Sequence, residues 1–212
     1  MIEIGKDIAR PEPALIERAA CFSSATLHEA MGKRGSLSYG IKPIIPEMRV
    51  CGPAVTVSSP PMDNLIIHKA IVAAQSGDIL VVEVGGVYEA GYWGEIMTHA
   101  AQQRGIAGLV IDGCVRDGTL IERMAFPVFA RGLSIRGTKK EGVGGINHPL
   151  TFGEIIVNPG DLIVGDGDGV VVVPREEIAQ VLREAQKRDK KEAEVKRELT
   201  AGKTTLAIYG WR

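Results

Sequence analysis

Arg116, Asp117 and the helix start at Gly94-Glu95 are the features of this 212-residue chain whose types and setting could do chemistry together. They share one stretch, residues 91–122: GYWGEIMTHAAQQRGIAGLVIDGCVRDGTLIE. Arg116 is a permanent cation with a planar fork of donors, and Asp117 is a hard oxygen ligand for a divalent ion such as Mg²⁺. The stretch reads as a glycine-rich loop and then a helix opening at Gly94-Glu95, whose free backbone N–H groups favour a small anion. A turn at Arg104-Gly105, an apolar strand over 107–111 and a tight corner at Asp112-Gly113 lead to Arg116-Asp117. Strand ends of this kind are where an α/β layer presents functional side chains. The expected chemistry is metal-assisted work on a small oxo-acid. The plainer reading is a surface pair, with Asp117 capping a helix over 118–124.

The flanking segments supply the scaffold. Residues 11–32 read as two short helices, the second capped by Ser23 or Ser24 and ended by Gly32. Residues 49–58 alternate like a strand, closed by Pro60-Pro61. Asp63 is a good N-cap for a helix over 64–74, and 79–84 form a buried-strand run interrupted only by Glu83. Strands are expected at 126–130, 155–157 and 162–164. The turn at 165–169 leads into Val170–Val173, a run suited to a strand covered on both faces. A helix over about 176–200 follows, with an apolar stripe (Ile178, Val181, Leu182, Ala185) on its first half and mostly charge on its second. At about 37 Å it is longer than one domain needs, so its far end stands in solvent or leans on another subunit. Central strands with interleaved helices make this an α/β layered fold with a projecting C-terminal arm.

Composition bounds the partners. With 25 Lys+Arg against 26 Asp+Glu the formal charge is −1, which leaves no basic excess for a general nucleic-acid binder. Aromatic residues are 5% of the chain, too few for base-stacking platforms. Cys21, Cys51 and Cys114 form neither a metal pattern nor a disulfide framework, which fits a reducing compartment. No apolar run has signal-peptide or membrane-spanning length, so a cytoplasmic protein is expected.

Other motifs carry less. Val82–Gly86 superficially resembles a methyltransferase strand end but lacks the further glycines and the second acidic residue. The turn at 165–169 lacks the later ligands of a calcium loop. His28, His68, His99 and His148 make no zinc pair, and no serine sits in a nucleophile elbow. Lysines such as Lys139-Lys140 lie on charged faces, and none interrupts a buried strand to serve as a Schiff base. A metal ion is the better electron sink for a carbonyl.

Gly91-Tyr92-Trp93-Gly94-Glu95, Gly108–Gly113, Arg116-Asp117, Phe126–Phe129 and Gly167–Pro174 together resemble the 4-hydroxy-4-methyl-2-oxoglutarate / 4-carboxy-4-hydroxy-2-oxoadipate aldolases. These are class II pyruvate aldolases that share a fold with the regulator of ribonuclease activity A. The resemblance runs from about Ser23 to Gly202, with Asp63-Asn64 and Asn147-His148-Pro149 in order. It implies a layered β/β/α, swivelling-domain-like core over 1–174, and a helical arm over 175–212 packed on a neighbouring subunit of a homotrimer or dimer of trimers.

The resemblance also implies roles. Backbone amides at Gly94, Glu95, Ile96 and Met97 would hold the pyruvate carboxylate, and Arg116 would stabilise the enolate. Asp117 would bind Mg²⁺ or Mn²⁺ directly, with Glu95 and the neighbouring subunit's Glu192 acting through water. The activity implied is retro-aldol cleavage of a 4-hydroxy-2-oxo acid to pyruvate and a second 2-oxo acid, with oxaloacetate decarboxylation beside it. The alternative is a ribonuclease-E-binding regulator without catalysis. Leu120 stands where the family pattern has an acid, three positions after the Asp, which puts the anchoring of Arg116 and the substrate preference in question.

Overall fold

The computed structural model describes residues 2–5 and 8–211. The chain enters with β1 (Ile2–Ile4), α1 (Pro13–Ala19) and α2 (Ser24–Ala30). The short β2 (Lys42–Pro43), the long β3 (Val50–Ser58), α3 (Leu65–Ala73) and β4 (Ile79–Glu83) follow. Next come α4 (Glu95–Gln103), β5 (Gly108–Ile111), β6 (Cys114–Val115), α5 (Gly118–Arg123), β7 (Val128–Ala130) and β8 (Gly132–Leu133). β9 (Gly144–Ile146), the hairpin of β10 (Leu150–Phe152) and β11 (Ile155–Val157), and the hairpin of β12 (Leu162–Asp166) and β13 (Gly169–Val173) complete the strands. The chain then runs into the arm, α6 (Ile178–Thr200) and α7 (Thr205–Tyr209).

β3 joins the two halves of the layered core. Its first residues pair antiparallel with β12 (Val50 with Gly165, Pro53 with Leu162). Its last five pair parallel with β4 (Ala54 with Ile79, Ser58 with Glu83). The main path runs β1-β9-β3-β4-β5-β7-β2. Because β3 lies between apolar layers on both sides, residues 52–57 are all buried, and the alternation expected from the sequence gives way to a strand covered on both faces.

Three apolar clusters mark the layers. Ile66, Ile67, Met97, Ile121, Tyr92 and Trp93 pack α3, α4 and α5 on one face of the β3-β4-β5-β7 sheet. Ile79, Val81, Val110, Phe129, Ile163 and Val172 fill the space between that sheet and the β12–β13 hairpin. Leu27, Val171, Val173 and the α6 stripe Ile178, Val181, Leu182 and Ala185 form the third. α6 is therefore rooted on the layer opposite α3 and α4. Its second half carries surface pairs such as Arg188 with Glu192, 2.9 Å apart four residues on.

Several local expectations hold for stated reasons. The Ser23 hydroxyl caps α2 by accepting from Thr26 N at 3.1 Å. The 165–169 turn is a hairpin, and the Asp166 carboxylate accepts from the Ser24 hydroxyl (2.6 Å) and backbone N (2.8 Å), which anchors α2. Glu83 closes its own strand-end turn by accepting from Gly85 N. Among the described residues, no helix is long and apolar enough to cross a membrane.

Candidate functional site

Residues 91–94 are set by two buried aromatic rings. Tyr92 and Trp93 are fully buried; the Tyr92 hydroxyl donates to Val87 O (2.6 Å) and accepts from Met62 N (2.9 Å). Trp93 stacks on Phe126 with centroids 6.0 Å apart and donates from Nε1 to Thr98 Oγ1 at 2.7 Å. The backbone then zips to the strand end that carries Arg116. Tyr92 N donates to Cys114 O (3.1 Å), Arg116 N to Trp93 O (2.9 Å) and Gly91 N to Arg136 O (2.8 Å).

Two glycines make this apposition possible by close approach. A Cβ on Gly94 would meet Asp117 Oδ2 at 2.5 Å and Arg116 Cγ at 3.2 Å. One on Gly91 would meet Ser134 O at 2.7 Å and Arg116 Cβ at 3.1 Å. Gly94 is the N-cap of α4, so the helix terminus, the arginine and the aspartate meet where these side chains are missing.

Asp117 occupies the cap position of α5 at φ 60°, ψ 33° and makes no side-chain cap there. Its Oδ2 accepts instead from Glu95 N, the first amide of α4, at 3.1 Å. The expected cap on its own helix is replaced by a bond across the site, because the left-handed backbone turns the carboxylate away from α5. Of the amides expected to form an anion cradle, Glu95 N already donates to Asp117, while Ile96 N and Met97 N have no protein acceptor among the described residues. Arg116 lies beside Asp117 as a half-exposed ion pair, Nε to Oδ2 at 3.6 Å. Leu120 sits partly exposed on α5, and no other carboxylate among the described residues pairs with Arg116.

These groups line a pocket of about 280 Å³ formed by Gly91–Met97, Arg116, Asp117, Asn64, His68, Gly137, Thr138 and Lys140. The predicted residues Gly94, Glu95, Ile96, Met97, Arg116 and Asp117 thus come together. Glu192 does not join them within one chain; it lies on the arm, paired with Arg188.

The residues by themselves give no site role to His68, Thr138 or Lys140, because Lys140 reads as part of a charged face and His68 as a packed or surface histidine; Asn64 enters only through the Asp63-Asn64 pair of the family resemblance. Asn64 and His68 are four residues apart on the start of α3, a helical spacing visible in the sequence but mute about what the face meets. Asn64 Nδ2 donates to Tyr92 O at 2.9 Å, which fixes the amide, and its buried Oδ1 has no hydrogen-bond partner among the described residues. Burial, and then the Lys140 charge, hold the His68 pKa below its ordinary 6.5. Burial also pushes the Tyr92 phenol up. The arrangement can bind a small anion at the α4 amides and place a fixed cation and two carboxylates beside its reacting end.

Known proteins share this chain's pattern and shape. A 36% identical protein of Halalkalibacterium halodurans, named "Putative 4-hydroxy-4-methyl-2-oxoglutarate aldolase", aligns over 85% of this chain and 86% of its own length. A crystal structure of an uncharacterised protein from Pseudomonas syringae pv. tomato superposes with TM-score 0.83 at 30% identity, covering 94% of both chains. Streptomyces coelicolor RraAS2, described as an unusual member of the RNase ES inhibitor RraA protein family, superposes with TM-score 0.78 at 28% identity, over 89% of this chain and 100% of that one. The RraA-like family model, described as Aldolase/RraA, matches residues 24–172, a span that holds the α4 terminus, Arg116 and Asp117; the chain belongs to that family.

Proposed function

We propose that the protein is a divalent-metal-dependent pyruvate aldolase. It cleaves a 4-hydroxy-2-oxo di- or tricarboxylic acid to pyruvate and a second 2-oxo acid, and decarboxylates oxaloacetate at the same site. The observation that carries this is the convergence of the α4 amides, Arg116, Asp117 and Glu95 on one pocket. The relative named as an aldolase supports the same chemistry.

The donor set suits a hard cation that keeps most of its water. Among the described residues no cluster of three or more His, Cys, Asp or Glu could enclose a metal, but Mg²⁺ needs only one or two protein carboxylates. Asp117 would hold Mg²⁺ or Mn²⁺, with Glu95 beside it and Glu192 from the arm of a neighbouring subunit in a trimer or paired trimers. The bound ion supplies Lewis-acid polarisation of the 2-oxo group.

The chain's own residues do the rest. Ile96 N–H and Met97 N–H receive the carboxylate of the pyruvyl unit, helped by the partial positive charge of the helix end. This directs the 2-oxo oxygen toward Arg116. As the C3–C4 bond breaks, negative charge grows on that oxygen, and the guanidinium opposes it in a partly desolvated pocket. The C4 hydroxyl gives up its proton to water in the pocket as C4 becomes a carbonyl, and a proton returned from water to C3 completes pyruvate. Loss of CO₂ from oxaloacetate develops the same charge in the same place. Lys140 adds a second cation to a pocket already suited to polyanions.

The test is pyruvate release from oxaloacetate and from 4-carboxy-4-hydroxy-2-oxoadipate, with Mg²⁺ or Mn²⁺ and again with EDTA. Metal-dependent release from both is the expected result. Release from oxaloacetate alone would keep the site and change the aldol partner. Release from neither, with tight capture of ribonuclease E, would overturn the enzyme reading in favour of a binding protein, in line with the RraAS2 likeness.

A further inference from the structure

We propose that Asp63 is a positioning residue of this site: its buried carboxylate latches residues 137–141 onto the start of α3 and so fixes the pocket wall that carries Thr138 and Lys140. The inference rests on the aldolase reading for its kinetic consequence, and on geometry alone for the latch itself.

Asp63 is 4% exposed and forms no ion pair among the described residues. A carboxylate is costly to bury without compensation, and here the compensation is two backbone amides from different segments. Leu65 N donates to Oδ1 at 2.9 Å, and Glu141 N donates to Oδ2. The latch is itself anchored, since the buried Ser59 hydroxyl donates to Asp63 O at 2.7 Å. Two more bonds cross the same seam: Lys139 N to Met62 O (2.6 Å) and Asn64 N to Lys139 O (3.1 Å). Residues 137–141 belong to no helix or strand and are mostly exposed, the kind of segment that opens easily unless tied down. They nonetheless supply Gly137, Thr138 and Lys140 to the pocket.

Only an ionised carboxylate serves both amides at once. Asparagine keeps one acceptor but turns an N–H₂ group toward the other donor. Asp63→Asn should therefore release one side of the seam while leaving α3 and the sheet in place. Lys140 then loses its fixed position, whereas the α4 amides and Arg116, anchored by Tyr92 and Trp93, keep theirs.

Three readouts test this. Amide hydrogen exchange on the wild-type protein should find Lys139 and Glu141 protected despite their exposure. In Asp63→Asn their exchange should quicken about tenfold or more, the scale of a lost hydrogen bond to a charged acceptor, with the β3-β4-β5 amides unchanged. With Mg²⁺, KM for 4-carboxy-4-hydroxy-2-oxoadipate should rise about tenfold in Asp63→Asn, on the same scale, while its kcat and oxaloacetate decarboxylation stay near wild type. The same substitution made on Lys140→Ala should raise that KM no further, because residues acting through one another are not additive. Unprotected Glu141 in the wild type would overturn the latch even if no variant folds. Wild-type exchange and KM in a folded Asp63→Asn, or fully additive effects with Lys140→Ala, would overturn it too. A wild-type protein that releases no pyruvate yet shows the exchange pattern would sink the aldolase reading and uphold the latch.

Discussion

Replacing Gly94 by alanine adds one methyl group where the site has no room for it. Gly94 has extended backbone angles, φ −161° and ψ −168°, so any residue can adopt them and the backbone itself sets no penalty. The new Cβ would lie 2.5 Å from Asp117 Oδ2 and within 3.3 Å of two Arg116 side-chain atoms. Ordinary contact begins near 3.4 Å, so the carboxylate must retreat by 3.4 − 2.5 = 0.9 Å. That breaks its 3.1 Å bond with Glu95 N and displaces the group proposed to hold the metal. Misplacement by about 1 Å costs on the order of 100-fold in rate, equivalent to about 2.7 kcal/mol. The hydrophobic layers lie away from this atom, so stability should move by no more than about 1 kcal/mol. The assay is metal-dependent pyruvate release from oxaloacetate, set beside thermal unfolding. Wild-type kcat/KM in a normally folded Gly94→Ala protein would refute the argument that this close approach builds the site.

Other outcomes follow from the same geometry. Arg116→Ala should cost about 3 kcal/mol or more of transition-state stabilisation, read as a fall in kcat/KM for both substrates; a KM effect alone would remove Arg116 from the enolate. Asp117→Asn tolerates the left-handed backbone but removes the charge, so pyruvate release should fall to the EDTA level with an unchanged melting temperature. His68 is held below its usual pKa of 6.5. The unfolded chain therefore takes up this proton at a higher pH than the native one, and its contribution to stability is lost as pH falls through and below that range. Denaturant unfolding between pH 7.5 and 5 should show a shallower pH dependence for His68→Gln; an identical slope would refute the assignment.

Local chemistry explains what was legible in the residues. The Gly94-Glu95 helix start, the strand end before Arg116-Asp117, the Ser23 cap and the 165–169 hairpin depend on neighbours within a few positions. The four-residue stripe of α6 shows which half is buried, because only Ile178, Val181, Leu182 and Ala185 can pay for desolvating a helix face. Those signals place Glu95, Arg116 and Asp117 on adjoining elements before any tertiary contact is known. The family pattern adds Glu192, which one chain leaves on its arm.

Tertiary structure decided what each of these groups touches. Asp117 serves Glu95 N rather than its own helix because β5–β6 and the 91–94 loop bring α4 to it, an apposition set by the burial of Tyr92 and Trp93. Lys140 reads as solvated charge because residues 137–142 carry no apolar side chain; it reaches the pocket through a seam to residues 62–64, more than seventy positions earlier. Asn64 takes part in the same long-range seam through its bond to Lys139 O, and His68 meets Lys140 only in the pocket that closes there. The two-sided burial of β3 likewise follows from apolar layers on both of its faces, one of them supplied by β12 and β13, over a hundred residues downstream. Helix starts, turns and amphipathic faces are set by short-range sterics and desolvation and are written in the sequence; partners chosen by packing of distant segments exist only once the layers close.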